Sequence, residues 1–306
     1  MKLKNIAAAL LAAAVAAASG CSINTNENAS GSTSPAGDSA SGSSGTAEAS
    51  ETAEVSENDK PGDNAVSVTL NGGSAAVSEG AKGVSAEGSK VTVTAGGSYT
   101  FSGTLDDGQI IVNAPKTDKV DIYLDNVTVS CTSSAPLRIE QADGVTLHLK
   151  EGTVNSFTDS TASDLNACIS AKDDLTIKGK GKLVVTGQTK HAIKSSNDVK
   201  IKNGELELSA KGAGIYGEDK VQLTGGSIVI KSCKDGIKSV ADEGAESGKG
   251  IVTSENTTVD IQNAQGNGIE ATTSVTVTSG SIMIHSIKQA VNCKTQAITE
   301  GTVVKY

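Results

Sequence analysis

The sequence predicts an all-β protein that folds as a right-handed, single-stranded parallel β-helix with about 22 residues per coil. The first observation is a phrase, Asp-Gly-Ile-Lys-Ser at Asp235 to Ser239, that recurs with variations through the second half of the chain. Its central apolar residue stands at Ile169, Ile193, Ile215, Ile237, Ile269 and Val291. The intervals are therefore 24, 22, 22, 32 and 22 residues. A shared period of this length is typical of a solenoid.

The second observation is the pattern of short strands between these phrases. Each period holds two further apolar–any–apolar triplets, such as Val199-Lys200-Ile201 and Leu206-Glu207-Leu208, and this alternation predicts a strand with one buried face. Three short strands cannot bury an apolar face alone, but stacked coils can. A glycine column precedes most of the second triplets, at Gly181, Gly204, Gly226 and Gly280. It predicts a turn that needs a positive φ or has no room for a Cβ.

The N-terminus predicts export. Lys2 and Lys4 precede a short apolar run from Ile6 to Ala18, which indicates a signal peptide over residues 1–20. Ala18-Ser19-Gly20-Cys21 resembles a bacterial lipobox, so we expect Cys21 to carry a lipid that anchors the protein to the bacterial cell envelope, exposed at the surface. The alternative is ordinary secretory cleavage near Gly20, which leaves Cys21 as a free N-terminal thiol.

Residues 21–64 form a linker rich in Ser, Gly, Ala and Glu. Such a composition buries too little apolar surface to offset its ordering entropy, and it predicts a disordered stalk. The stalk holds eight acidic residues and one lysine, so it carries most of the chain's formal net charge of −9. The negative balance makes nucleic acid an unfavourable partner.

The domain predicted to fold spans residues 65–306. An irregular β cap is expected over 65–108, and the clearest repeats over 168–294. The chain has no Trp, two Phe and four Tyr, a composition that suits a narrow interior filled by Ile, Val, Leu and Ala. The remaining cysteines are predicted either as small apolar side chains inside the coils or as members of disulfides: Cys131, Cys168, Cys233 and Cys293.

An acidic ladder is expected at one turn, because residues at equal phase in successive coils lie about 4.8 Å apart. Its members follow the repeat Ile by four or five positions: Asp173, Asp174, Asp198, Asp219 and Asp242. Stacked carboxylates repel unless a cation screens them, and Ca²⁺ favours several carboxylate oxygens. The ladder is therefore either a set of Ca²⁺ ligands or a solvated turn.

The interval of 32 residues points to a more specific calcium site. Its extra segment, about Val240 to Lys249, carries Asp242, Glu243 and Glu246 close to Asp235 of the phrase. An acidic loop folded over an aspartate offers the oxygen ligands that Ca²⁺ prefers.

A possible binding surface follows from the position directly after each repeat Ile. Side chains there point outward if the Ile points inward, so Lys194, Tyr216 and Lys238 should be neighbours on one flat sheet. We call these three residues the Lys-Tyr-Lys strip. A row of cation, ring and cation suits an extended acidic polymer, although a structural solvent-facing sheet can look the same.

The lipobox, the Ser-rich stalk and the acidic insertion after Asp-Gly-Ile-Lys resemble a carbohydrate-binding family of bacterial surface proteins. Its clostridial prototype is a calcium-containing parallel β-helix that binds acidic plant polysaccharide of the polygalacturonate type. The similarity covers about Ala167 to Asn292. The family phrase is Gly-Asp-Gly-Ile followed by an acidic pair, and Asp235-Gly236-Ile237-Lys238 keeps it best here.

The resemblance implies a non-catalytic protein that binds acidic polysaccharide, with Ca²⁺ as a cofactor, and we expect a monomer. One alternative is a pectate-lyase-like enzyme, for which Lys238 is the candidate base because Arg138, the only arginine, is expected far in phase from the acidic loop. A second alternative is a structural or adhesive surface protein whose ladders are only solvated faces.

Overall fold

The computed structural model describes residues 60–241 and 248–306, and these ranges contain strands and turns without a helix. Consequently, no helix long and apolar enough to cross a membrane occurs in them. The predicted signal peptide, the lipid site at Cys21, almost all of the predicted linker, and the loop acids Asp242, Glu243 and Glu246 lie outside the described residues.

The strands follow one another along the whole described domain. The first fourteen are β1 Val66–Gly72, β2 Ala75–Val77, β3 Val84–Glu87, β4 Lys90–Val93, β5 Gly97–Leu105, β6 Gln109–Asn113, β7 Lys119–Ser130, β8 Leu137–Gln141, β9 Gly144–Leu149, β10 Val154–Thr158, β11 Ala167–Ala171, β12 Leu175–Gly179, β13 Lys182–Gly187 and β14 His191–Ser195. The others are β15 Asp198–Ile201, β16 Glu205–Ala210, β17 Ala213–Gly217, β18 Lys220–Leu223, β19 Ser227–Ser232, β20 Asp235–Ser239, β21 Ile251–Ser254, β22 Thr257–Ala264, β23 Ile269–Ala271, β24 Ser274–Val277, β25 Gly280–Ser286, β26 Val291–Asn292, β27 Thr295–Ile298 and β28 Val303–Lys305.

The pairing confirms a parallel β-helix of about eight turns. Each regular coil contributes one strand to each of three stacks. One coil consists of β14, β15 and β16, and the strands of the next coil, β17, β18 and β19, pair with them in parallel in the same order. The stack that contains the recurring phrase is a ten-stranded sheet running from β3 to β26. We call it the phrase sheet.

The recurring apolar residue forms the inner column of the phrase sheet. Ile193 pairs with Ile169 on one side and Ile215 on the other, and the column continues through Ile237 to Ile269. All five side chains are fully buried. Because burying an Ile contributes about 1.5–3 kcal/mol, this column fixes the register of every coil that it joins.

The glycine column behaves as its sequence position predicts. Gly204, Gly226 and Gly280 have φ values of +105°, +89° and +91°, which side-chain-bearing residues rarely adopt. At Gly181 an added Cβ would lie 2.3 Å from the Lys150 carbonyl oxygen. The same turn therefore requires glycine for conformation in some coils and for space in another.

The N-terminal end has a different pairing from the rest of the solenoid. β2 pairs with β1, and β3 with β4, in antiparallel fashion. β1 and β4 already stack in parallel on β5 and β6, so regular coiling begins inside the segment expected to form a cap. An antiparallel hairpin at the first coil leaves less open strand edge for a neighbouring chain.

The cysteines among residues 60–241 and 248–306 are free thiols. Cys131, Cys168 and Cys233 are buried, and Cys293 is half-buried, as expected for small apolar side chains within coils. Burial raises the pKa of the Cys168 thiol, and burial with the Asp235 charge raises the pKa of Cys233 to about 12. Thiols held protonated in this way are poor nucleophiles.

Candidate functional site

The phrase sheet brings together the three residues of the Lys-Tyr-Lys strip. Tyr216 pairs with Lys194 in the coil before it and with Lys238 in the coil after it. The Lys194 and Lys238 Nζ atoms lie 5.5 and 5.9 Å from the centre of the Tyr216 ring. Both distances are within the range of a cation–π interaction, so the ring is held between two ammonium groups.

Carboxylates from other positions pair with the lysines of the strip. Lys194 Nζ lies 2.7 Å from Glu218, and Lys238 Nζ lies 2.8 Å from Glu270. Glu270 occupies the next position along the same outward row, since it pairs with Lys238 across the sheet. The positive charge of the strip is therefore largely balanced by its own neighbours, which the spacing of the sequence did not reveal.

A second row of side chains lies beside the strip, and three of its polar members cap the following coil. This row comprises Ala167, His191, Ala213, Asp235, Asn267 and Gln289. His191 Nδ1 accepts a hydrogen bond of 2.9 Å from the Ala213 amide. Asp235 Oδ1 accepts one of the same length from the Asn267 amide, and Asn267 Oδ1 accepts one of 3.3 Å from the Gln289 amide.

Asp235 therefore has a structural task in addition to its predicted metal role. It is 5% exposed, and its Oδ1 satisfies a buried backbone amide in the next coil. Its Oδ2 lies 3.9 Å from Lys238 Nζ. A buried amide without an acceptor costs about 1–3 kcal/mol, so a polar residue is favoured at this position whether or not a cation binds.

His191 is neutral and packs against the strip. Its ring centroid lies 5.1 Å from that of Tyr216. Burial and the charges of four lysines lower the pKa of His191 to about 3; these are Lys190, Lys194, Lys238 and Lys234. Because Nδ1 accepts the Ala213 hydrogen bond, the imidazole proton lies on Nε2.

We expect His191 to make the fold sensitive to acid. Its folded pKa lies below the ordinary value of 6.5, so its contribution is complete above pH 6.5 and is lost as pH falls towards 3. The linkage is on the order of 5 kcal/mol. Urea unfolding at several pH values should show the decline.

The matched control for this prediction is His191→Asn. Asparagine caps the next coil at the same row position in Asn267, and it does not titrate. The difference between wild type and His191→Asn should therefore change steadily between pH 6.5 and 3. Parallel stability curves for the two proteins over this interval would contradict the assignment.

The predicted acidic ladder is dispersed among lysines and backbone amides. Asp174 and Asp198 each lie 3.4 Å from Lys200 Nζ, and Asp219 lies 3.0 Å from Lys249 Nζ. Burial opposes the charge on Lys200, but the two carboxylates outweigh it and raise the pKa of this lysine. Asp173 accepts a hydrogen bond of 3.1 Å from the Ala142 amide. Lysine ammonium groups thus supply much of the positive charge that the stacked carboxylates of the ladder need.

The insertion changes the register that equal phase predicts. Lys220 pairs with Ile251 of the next coil. Equal phase predicts that Ala241 and Asp242 follow Asp219 and Lys220 in the ladder. In the structure, Gly250 and Ile251 take these two positions. The extra residues of the insertion precede Ile251, and the regular pairing between coils resumes at that residue. Among residues 60–241 and 248–306, no group of three His, Cys, Asp or Glu side chains is arranged to hold a metal ion. The calcium site thus stays a prediction that depends on the undescribed loop acids.

The position of Arg138 differs from the expectation. It pairs with Ser170, which pairs with Lys194, so Arg138 belongs to the same outward row as the strip. Its guanidinium is bonded to Glu140, which also contacts Lys172. The long interval between Arg138 and Ser170 hides this alignment from a count in units of 22.

The chain matches a family of known proteins over most of its length. Residues 87–304 match the family described as carbohydrate-binding domain-containing protein. A relative of the same description from Acetivibrio thermocellus is 39% identical over 136 residues, which cover 42% of this chain and 48% of the relative, so the chain spans about half of that protein. The solved gadolinium derivative of a polysaccharide lyase-like protein from C. thermocellum is similar, with a TM-score of 0.75 and 32% identity over 79% of this chain and 100% of that chain.

Proposed function

Because the chain belongs to the carbohydrate-binding domain-containing family, we propose that it is a non-catalytic protein of the cell envelope that binds an acidic polysaccharide on its phrase sheet. The observation that carries the location is the Tyr216 ring, held between Lys194 and Lys238 on an outward row. A ring gives a sugar an apolar face, and the flanking ammonium and carboxylate groups offer hydrogen-bond partners to its hydroxyl groups.

The regular sheet favours an extended polymer over a small ligand. The outward row continues on both sides of the strip, through Ser170 and Arg138 in one direction and Glu270 and Asn292 in the other. Neighbouring members are about 4.8 Å apart. A polysaccharide can therefore meet equivalent polar groups in coil after coil.

Calcium is the second part of the proposal. Asp235 Oδ1 accepts a hydrogen bond from the backbone amide of Asn267, so Oδ2 is the oxygen of this aspartate that is available to a cation. The other proposed ligands are Asp242, Glu243 and Glu246 of the insertion. Hard oxygen donors of this kind suit Ca²⁺.

Titration calorimetry with CaCl₂ tests the calcium site. We expect the triple variant Asp242→Asn, Glu243→Gln, Glu246→Gln to lose the binding heat of the wild type. Asp235→Asn should weaken binding while the fold survives, because an amide oxygen still accepts from the Asn267 amide. Wild-type calcium binding in the triple variant would exclude these ligands.

Anchoring to the bacterial envelope through a lipid on Cys21, display at the cell surface and a monomeric state complete the proposal. The anchor and the surface display rest on the lipobox and stalk of the sequence. Labelling with a radioactive fatty acid in a bacterial host, compared with Cys21→Ser, tests the anchor. Equal labelling of both proteins would rule it out.

Affinity electrophoresis of the purified protein through gels that contain polygalacturonate, with calcium or with chelator, tests the main proposal. Retardation that is weaker with chelator than with calcium is expected if calcium takes part. Equal retardation in both gels would support polysaccharide binding and would exclude a role for calcium in it. An unchanged mobility in every gel, including gels with neutral glycans, would overturn the proposed function.

A polysaccharide lyase is the second candidate, since the similar solved structure is of a polysaccharide lyase-like protein. For such an enzyme, Lys238 is the candidate base once its ammonium group, which lies beside Glu270 and Asp235, has released a proton. Elimination produces an unsaturated sugar that absorbs ultraviolet light. Turnover in this assay that is lost in Lys238→Met would favour the enzyme.

A further inference from the structure

The Lys-Tyr-Lys strip alone gives little net charge with which to choose an acidic polymer. Lys194 is paired with Glu218, and Lys238 is paired with Glu270 and close to Asp235. A surface whose charges are matched in this way binds hydroxyl groups as readily as carboxylates. Any preference for a polyanion has to come from neighbouring residues.

Four exposed lysines lie next to the strip, at the corner where the chain enters the phrase sheet. We call them the lysine edge: Lys190, Lys211, Lys234 and Lys288. Within residues 60–241 and 248–306, no acidic side chain lies within ion-pair distance of any of the four. Their charge is thus uncompensated by the described part of the domain, although the chain as a whole has a formal charge of −9.

Three of these lysines form a regular row. Backbone hydrogen bonds from each coil to the one before it align Lys190, Gly212, Lys234, Gly266 and Lys288. Lysine and glycine alternate, so the cations stand two coils, or about 10 Å, apart. A Cβ at Gly212 would lie 2.9 Å from Lys190 Cγ, so the glycine leaves room for the lysine stem.

A cavity of about 340 Å³ opens on the same edge. Lys211 and Lys234 line it together with the polar side chains of Ser232, Asn263 and Gln265. Two ammonium groups with a hydroxyl and two amides are donors that suit a carboxylate and the hydroxyl groups beside it. The cavity is large enough for a single sugar ring, because small-ligand sites begin at about 300 Å³.

His191 lies between the strip and the lysine edge, close to lysines of both. Lys190 and Lys234 of the edge, as well as Lys194 and Lys238 of the strip, contribute to its lowered pKa after burial. The acidic partners of the strip do not cancel this positive potential at the ring. A polyanion lying along the corner would approach the same four lysines.

Building on the proposed function, we infer that the lysine edge is the anionic subsite of the protein, and that it holds the carboxylates of a polysaccharide that runs along the axis of the β-helix, across successive coils. The strip contacts the sugar rings, and the edge binds every second or third carboxylate without a metal ion. This subsite makes selection for an acidic polymer independent of calcium.

The test compares two triple variants that remove the same charge from different surfaces. One is Lys190→Gln, Lys211→Gln, Lys234→Gln in the edge. The other is Lys82→Gln, Lys116→Gln, Lys202→Gln, whose exposed lysines lie in turns before β3, after β6 and after β15. Binding to polygalacturonate is measured in chelator at low salt and in 1 M NaCl, and thermal unfolding verifies that both variants fold.

At low salt we expect the edge variant to lose about tenfold in affinity and the control variant less than about twofold, with the difference removed by salt. For wild type, affinity for acidic oligosaccharides should rise with length until the oligomer spans Lys190 to Lys288, about 19 Å along the axis. Equal losses in the two variants, or none, would overturn the inference.

Two further arms separate this inference from the proposed function. If the edge variant binds like the wild type and Tyr216→Ala does not bind, the lysine edge is not a subsite, and the polysaccharide site on the phrase sheet is supported. Equal affinity of the wild type for polyglutamate would show a general polyanion surface and overturn the polysaccharide subsite. Failure of the wild type to bind any glycan would overturn the proposed function itself.

Discussion

Replacing Tyr216 with alanine is expected to lower the affinity for polysaccharide at least about 30-fold, which corresponds to about 2 kcal/mol. The change removes the ring that two ammonium groups flank and that His191 supports from the side. It also leaves Lys194 and Lys238 without the surface that orients them. Isothermal titration with a soluble oligosaccharide measures the loss.

Two variants control for indirect effects at Tyr216. Tyr216→Phe keeps the ring and removes only the hydroxyl, which bonds to the Val240 carbonyl oxygen at 3.1 Å, so binding should fall no more than about threefold. Tyr306→Ala removes an exposed ring elsewhere and should have no effect on affinity. Wild-type affinity in Tyr216→Ala would show that the polysaccharide binds on another face.

Replacing Gly236 with alanine is expected to destabilise the domain by about 3 kcal/mol. A Cβ at this position would lie 2.5 Å from the Gly268 carbonyl oxygen and 2.5 Å from Ile261 Cδ1. The first contact is with the backbone of the next coil, which cannot move without breaking the sheet. Urea unfolding followed by circular dichroism should show a lower midpoint.

The same row provides the contrast for Gly236. The equivalent residue two coils earlier is Ala192, which is fully buried and already carries a Cβ. Ala192→Gly should therefore cost only about 1 kcal/mol, from added freedom of the unfolded chain and lost contacts. If Gly236→Ala were no more destabilising than Ala192→Gly, the close contact with the next coil would be refuted.

The sequence by itself determined the coil and its register. The recurring phrase, at intervals of 24, 22, 22 and 32 residues, brings each Ile over the previous one, and the buried column from Ile169 to Ile269 follows directly. The positive φ of Gly204 and Gly226 and the alignment of Lys194, Tyr216 and Lys238 follow from the same count. In a solenoid, residues that are neighbours in space are separated by a nearly constant number of residues in the sequence. The sequence period therefore predicts many long-range contacts, which it does not do in non-repetitive folds.

Only the tertiary structure decided which charges are satisfied. Equal phase indicated a column of carboxylates, but long lysine side chains reach across coils, as Lys200 does to Asp174 and Lys238 does to Glu270. The count also failed wherever a coil is longer, which is why it missed that Arg138 lies in the outward row of the strip and that Ile251 follows Lys220 in the ladder. Side-chain reach and insertions are not periodic. The period therefore fixed the scaffold, and the three-dimensional arrangement separated the balanced strip from the uncompensated lysine edge.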